Sequence, residues 1–190
     1  METKSIMLVG VGGQGTILAS KLLTVGLMEE GYDVKMSEVH GMSQRGGAVS
    51  SQVRYGKSVA SPVIEKGGAD ILVSFELMEA LRWLGYLKNG GKVVVNDYQV
   101  NPMPVAMGKC AYPEGIMEEL ESKAEVSAFN AMAEAEKLGN PKVMNIILLG
   151  TIIKLMHLDE LNWGKILREN VKPAFYEINM KALETGRSLV

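Results

Sequence analysis

The sequence predicts an α/β protein built on a doubly wound, mainly parallel sheet, with helices on both faces and a helical C-terminal part. Three observations predict it. Short apolar runs alternate with helical stretches over the first two-thirds of the chain, a glycine-rich turn joins the first run to the first helix, and the last third is helical in texture. Strands are expected at residues 5–9, 32–36, 48–55, 71–74, 92–96 and 105–109, mostly β-branched or apolar runs bounded by Gly, Asp or Asn.

The run Ile6-Met7-Leu8-Val9 leads through glycines into a helix at 14–30. Its Ile17, Leu18, Leu22, Leu23 and Val25 are apolar around most of the circumference, and Glu29, Glu30 and Gly31 close it. Together with the strand at 32–36 this is a βαβ unit packed on a sheet. The run at 48–55, Ala-Val-Ser-Ser-Gln-Val-Arg-Tyr, is more polar and suits an edge or antiparallel strand. A short helix at 76–86 precedes Lys88-Asn89-Gly90-Gly91, whose residues suit a turn, and then the strand at 92–96. Such alternation, with right-handed crossovers, points to parallel strands.

Beyond residue 114, helices are expected at 114–122, 129–138, 142–156, 159–167 and 172–185. In the last, Val171, Phe175, Ile178 and Ala182 share one stripe. The helix at 142–156 differs, because Val143, Ile146, Ile147, Leu149, Ile152, Ile153 and Met156 leave little polar face. It is either wholly buried or meets another chain. A domain of this size is expected to leave part of it uncovered, so that the isolated chain forms a homodimer through it.

With 190 residues, 47% hydrophobic and 22% charged, the chain suits one compact domain over residues 1–190. Twenty Lys and Arg against 22 Asp and Glu give a formal net charge of −2, which offers nucleic acid no electrostatic footprint. The opening apolar run is too short for a signal peptide. The stretch 143–156, broken by Asn145 and Lys154, is shorter than the roughly 20 residues that span a bilayer. A cytoplasmic protein without membrane contact is expected. The single cysteine, Cys110, can form neither an internal disulfide nor an iron–sulfur cluster. His40 and His157 stand far apart and show no metal-ligand spacing, and the 13 methionines scatter singly as core fillers.

Two loops carry the chemistry. Gly10-Val11-Gly12-Gly13-Gln14-Gly15 satisfies G-x-G-x-x-G between a strand and a helix. Gly10, Gly12, Gly13, Gln14 and Gly15 can let an anionic ligand approach the backbone, with amide N–H groups and the helix dipole favouring a phosphate or carboxylate. Alternatively, the glycines only relieve sterics in a tight turn. Glu38 lies near enough to the distance at which a dinucleotide-binding protein holds ribose hydroxyls, although no second domain follows for a substrate. The second loop, Ser37-Glu38-Val39-His40-Gly41-Met42-Ser43-Gln44-Arg45-Gly46-Gly47, follows the second strand and reaches the same sheet edge. Arg45 offers a planar fork to a carboxylate or phosphate, Ser43, Gln44 and Gly46 can add hydrogen bonds, and His40 is a candidate acid or base.

Taken with Gly-Asn-Pro and Asn-Ile-Ile-Leu-Leu-Gly within 139–150, these loops resemble the gamma-type subunits of 2-oxoacid:ferredoxin oxidoreductases over nearly the whole chain. The His-Gly-Met-Ser-Gln-Arg-Gly-Gly segment is most similar to that of the small (beta) subunits of the indolepyruvate enzymes. Relatives acting on pyruvate, 2-oxoglutarate or branched 2-oxoacids typically carry a Tyr-Gly-Pro-type loop there. The resemblance implies a Rossmann-like fold and CoA-dependent oxidative decarboxylation of an aryl 2-oxoacid to an acyl-CoA, with reduction of ferredoxin. It also implies that no cofactor is held by this chain alone. Thiamine diphosphate, Mg and iron–sulfur clusters would sit on a large alpha subunit, the partner in a hetero-oligomer, and coenzyme A would be the cosubstrate. The sequence agrees in lacking a Gly-Asp-Gly and Asn-Asn magnesium–diphosphate signature. Two other classes stay open on the residues alone: a nucleotide-binding protein using the first loop and Glu38, and a purely structural assembly subunit.

Overall fold

The computed structural model describes residues 2–41 and 46–190. Six strands form one sheet in the order β2-β3-β1-β4-β5-β6. They are β1 (Lys4–Val11), β2 (Asp33–His40), β3 (Ala48–Gly56), β4 (Ala69–Ser74), β5 (Leu87–Asn96) and β6 (Glu125–Phe129). β1, β4, β5 and β6 pair in parallel, whereas β3 is antiparallel to both its neighbours, β1 and β2. β1 and β2 therefore still run the same way, as the βαβ unit requires, but β3 is wedged between them. The polar run at 48–55 is antiparallel as expected and lies inside the sheet instead of at its edge.

Alternation along the strands sends side chains to two cores. Ile6 and Leu8 of β1, Ile71 and Val73 of β4 and Val94 of β5 face the larger core, under α1 (Thr16–Glu29), α5 (Ala131–Lys137), α6 (Met144–Leu155), α7 (Trp163–Asn170) and α8 (Tyr176–Ser188). Val93 and Val95 face the other side, under α2 (Leu77–Trp83) and α4 (Ile116–Glu121). Helices thus cover both faces, and the C-terminal ones stack on one.

Three expectations need correction. Residues 105–109 are not a strand: α3 (Met103–Ala106) ends within them and a turn follows, because Pro102 and Pro104 set helical φ and cannot donate to a ladder. The sixth strand is instead β6, five residues in parallel register with β5 from Lys92↔Glu125 to Asn96↔Phe129. Its last residue, Phe129, is where the sequence predicts a helix to start, and it is instead extended. The turn at 88–91 is absorbed into β5 as a bulge, where the register jumps from Ala69↔Leu87 to Ile71↔Lys92.

Nor does α6 keep a free apolar face. Every residue from Met144 to Ile153 is buried within the chain, against β4, β5, α1, α5 and α8. The sheet covers one side and α8 the other, so the homodimer expected through this helix loses its basis. α8 comes close enough because the crossing point is glycine on both helices. A Cβ on Gly150 would lie 2.3 Å from the Leu183 carbonyl oxygen, and one on Gly186 1.9 Å from that of Ile147. No helix among the described residues is long and apolar enough to cross a membrane.

Candidate functional site

The carboxyl ends of β1, β2, β4, β5 and β6 share one edge of the sheet, the edge at which open α/β folds take ligands. The two glycine-rich loops meet there. The Gly12 amide donates to the Gly47 carbonyl (2.8 Å) and the Gly46 amide to the Gly12 carbonyl (3.4 Å). Gly12 and Gly46 therefore join the loops to each other. Ser43, Gln44 and Arg45 lie outside the described residues.

Within the first loop the residues divide their work. Gln14 is a strut: its Oε1 accepts from the Val11 amide (2.8 Å) and its Nε2 donates to the Phe75 carbonyl (2.8 Å). Gly10 makes room for it, since a Cβ there would sit 2.7 Å from Gln14 Oε1 and 2.8 Å from Phe75 Cβ. Gly13 and Gly15 hold left-handed φ of 100° and 83°. Gly15 is the N-cap of α1 and brings no side-chain cap, so the helix starts with its dipole open to what lies above.

What lies above is a cleft of about 520 Å³ lined by Gly12, Gly13, Gly15, Thr16, Ile17, His40, Gly41 and Val49. His40 ends β2 with its side chain about half exposed, and its Nε2 is 3.7 Å from Glu38 Oε2. The other Glu38 oxygen accepts from Ser20 Oγ of α1 (3.1 Å). Helix α1 thereby steadies the carboxylate that faces the imidazole. The cleft combines a helix N-terminus suited to an anion with an imidazole–carboxylate pair suited to moving a proton.

Several residues at this edge carried no recognisable signal in the sequence. Asn145, legible only as a polar break in an apolar helix, lies beneath Gly15 and donates to its carbonyl at 3.3 Å. A Cβ on Gly15 would meet the Asn145 Nδ2 at 2.6 Å. Asn96, fully buried at the end of β5, donates to the Phe75 carbonyl (2.9 Å) and accepts from the Ala131 amide (2.8 Å), binding β4, β5 and α5 together. Glu76, also fully buried, accepts from the Glu79 amide (3.0 Å), the Val100 amide (3.2 Å) and the Tyr112 hydroxyl (2.5 Å). Burial, and then the hydrogen bond to and charge of Glu76, push the Tyr112 hydroxyl well above its ordinary range. Burial likewise raises Glu79 against the lowering effect of Arg82 and Trp83. Glu76 thereby holds the loops beyond β4 and β5 in place, whereas the Glu79 carboxylate accepts only from Arg82 and Trp83 of its own helix.

Among the described residues no three His, Cys, Asp or Glu side chains gather as a metal site, and Cys110 is exposed and alone.

Comparison with known proteins agrees with this architecture. The chain is 38% identical to the indolepyruvate oxidoreductase subunit IorB of Thermococcus kodakarensis over 98% of its own length and 95% of that protein's. It is 26% identical to the 2-oxoglutarate synthase subunit KorC of Methanothermobacter thermautotrophicus, over 98% and 95%. The gamma subunit of a keto/oxoacid ferredoxin oxidoreductase from Geobacter sulfurreducens superposes with a TM-score of 0.72 at 25% identity, covering 98% of this chain and 97% of that one. Residues 5–189 match the pyruvate ferredoxin/flavodoxin oxidoreductase family model, and with that sheet, those paired loops and those relatives the chain belongs to the pyruvate ferredoxin/flavodoxin oxidoreductase family.

Proposed function

We propose that residues 1–190 act as one gamma-type domain, the small subunit of a thiamine diphosphate-dependent indolepyruvate (aryl-pyruvate) ferredoxin oxidoreductase. The complex decarboxylates a 2-oxoacid oxidatively with coenzyme A, yields an acyl-CoA and passes the electrons to ferredoxin. The observation that carries the reading is the cleft formed where the two loops hydrogen-bond, open at an uncapped helix start and lined on the β2 side by His40, which has Glu38 beside it. The near-complete likeness to indolepyruvate oxidoreductase subunits supports the aryl substrate.

One cysteine in the sequence cannot ligate an iron–sulfur cluster, which supports placing the clusters, and with them thiamine diphosphate and Mg, on a large alpha subunit. Bound there, thiamine diphosphate supplies the electron sink for decarboxylation. This chain's part is to close the site. Gly13, Gly15 and the first turn of α1 face an anionic group of the 2-oxoacid or of coenzyme A, and Arg45, beside Ser43 and Gln44 on the adjoining loop, clamps it. Gly10 and Gln14 hold the loop's shape, and His40, steadied by Glu38, is placed to hold or pass a proton. Closure excludes water from the reacting centre.

The test is co-expression with the large subunit and assay of coenzyme A-dependent viologen reduction by indolepyruvate, phenylpyruvate, pyruvate and 2-oxoglutarate. Activity that needs both chains and favours the aryl substrates is expected. In that complex Arg45→Ala should raise KM for the 2-oxoacid or for coenzyme A about tenfold, the loss of one charge-assisted contact. Full activity of the large subunit alone overturns the subunit reading, and unchanged KM for both substrates overturns the role of Arg45.

A further inference from the structure

A second cleft, of about 420 Å³, opens on another side of α1's first turn, between Leu18, the start of α6 and the α7–α8 junction. Four carboxamides line it, from Asn140, Asn145, Asn170 and Asn179. The last three give their NH₂ groups to backbone carbonyls, Asn145 to Gly15 (3.3 Å), Asn170 to Ile166 (2.9 Å) and Asn179 to Phe175 (2.7 Å), whereas the Asn140 Oδ1 accepts from the Lys142 amide (3.0 Å), which leaves its NH₂ as a donor beside the Lys142 end of the cleft. Those bonds leave the oxygens of Asn145, Asn170 and Asn179 as the acceptors for something else. Asn145 and Asn179 are only 4% and 7% exposed, and the buried Asn145 Oδ1 has no partner among the described residues. An acceptor buried without a donor is destabilising, and a ligand bearing N–H groups would relieve it. Lys142 and Lys172 stand exposed at the rim, and Phe175 adds an aromatic surface that is 46% exposed.

Acceptor oxygens in the wall, cations at the rim and an apolar surface beside them select a ligand with three features: a donor-rich cationic head, a carboxylate and a hydrocarbon body. We propose that this cleft binds a free α-amino acid with an apolar side chain. Its ammonium faces the Asn145, Asn170 and Asn179 oxygens, its carboxylate reaches Lys142 and Lys172, and its side chain lies on Phe175. A 2-oxoacid lacks the donors and an amine lacks the anion, so neither satisfies the whole site. Because Asn145 also holds the Gly15 carbonyl, occupancy reaches the start of α1 and hence the first cleft. The inference does not depend on which 2-oxoacid the assembled enzyme uses.

The experiment titrates the full ¹⁵N-labelled chain with L-phenylalanine, phenylpyruvate and phenethylamine while following the side-chain amide resonances of Asn145, Asn170 and Asn179. L-Phenylalanine is expected to give saturable shifts with Kd between about 0.1 and 10 mM, the range of a small ligand held by a few polar contacts. Each analogue should bind at least about tenfold more weakly, as should L-phenylalanine to a Lys142→Ala, Lys172→Ala double variant, whose exposed positions leave the fold intact. Absence of saturable shifts, equal binding of either analogue, or unchanged binding by the lysine variant overturns the proposal. None of these outcomes bears on the assay of the assembled oxidoreductase.

Discussion

Gly15 meets two separate demands, a left-handed φ of 83° and the closeness of the Asn145 carboxamide. Gly13 meets only the first, since no atom lies within 4 Å of where its Cβ would be. Gly13→Ala should therefore cost about 1–2 kcal/mol of backbone strain, whereas Gly15→Ala should cost about 2–4 kcal/mol once overpacking is added. Urea unfolding of both variants checks the order, and equal losses would remove the packing argument. Both glycines stood out in the motif. Their different reasons did not, because Asn145 is 130 residues away in sequence.

Asp70 illustrates the same distance effect in electrostatics. Burial pushes its carboxyl up, but the hydrogen bond from Lys88, the Ser5 amide at 2.8 Å and the charges of Lys88 and Lys4 together hold it below the usual carboxylate range. A depressed folded-state pKa means stability that is present above the unfolded value near 3.8 and lost as pH falls through the lower folded value. Asp70→Asn should destabilise the chain by about 1–2 kcal/mol at pH 7, because the lysines are well solvated and their share is screened. The difference from wild type should shrink steadily below pH about 4 in denaturant melts, and a pH-independent difference would contradict the ionic account.

At the scale of elements, α6 and α8 touch backbone to backbone at Gly150 and Gly186. Neither carbonyl facing these glycines can retreat without breaking helical hydrogen bonds. Gly186→Ala should accordingly cost about 3 kcal/mol or more, beyond the usual range for one added methyl, and lower the thermal midpoint sharply. A near-neutral Gly186→Ala would show that the helices separate easily. The helices themselves were legible as periodic apolar runs. The glycine contact was not, since periodicity says which face is buried and nothing about how close the neighbour comes. The same limit explains the misplaced sixth strand. Residues 105–109 read as apolar and extended until the flanking prolines are given their φ restriction, while Glu125–Phe129 is a short, half-polar edge strand whose extended form depends on pairing with β5.

At the scale of the whole molecule, insertion of antiparallel β3 between β1 and β2 brings the two loops into contact. It starts from the carboxyl edge, so the segment that enters it must pass the glycine turn, and the Gly12–Gly47 bond results. The burial of α6 by α8 carries the complementary lesson, that this chain has no need of a second copy to cover its most apolar helix. Dependence of viologen reduction on both chains therefore tests completion of a site, and not rescue of an exposed core.

The sequence by itself determined the α/β class, most strands and helices, the two glycine-rich loops and the family likeness. Local steric rules and apolar periodicity act within a few residues and so can be read in order along the chain. Only the tertiary structure decided that Gln14 is a strut, that Glu38 is held by Ser20 against His40, that Asn145 braces Gly15, and that α6 is wholly internal. Those outcomes depend on which distant surfaces meet, and contact between residues far apart in the chain is set by packing of the whole sheet and its helices.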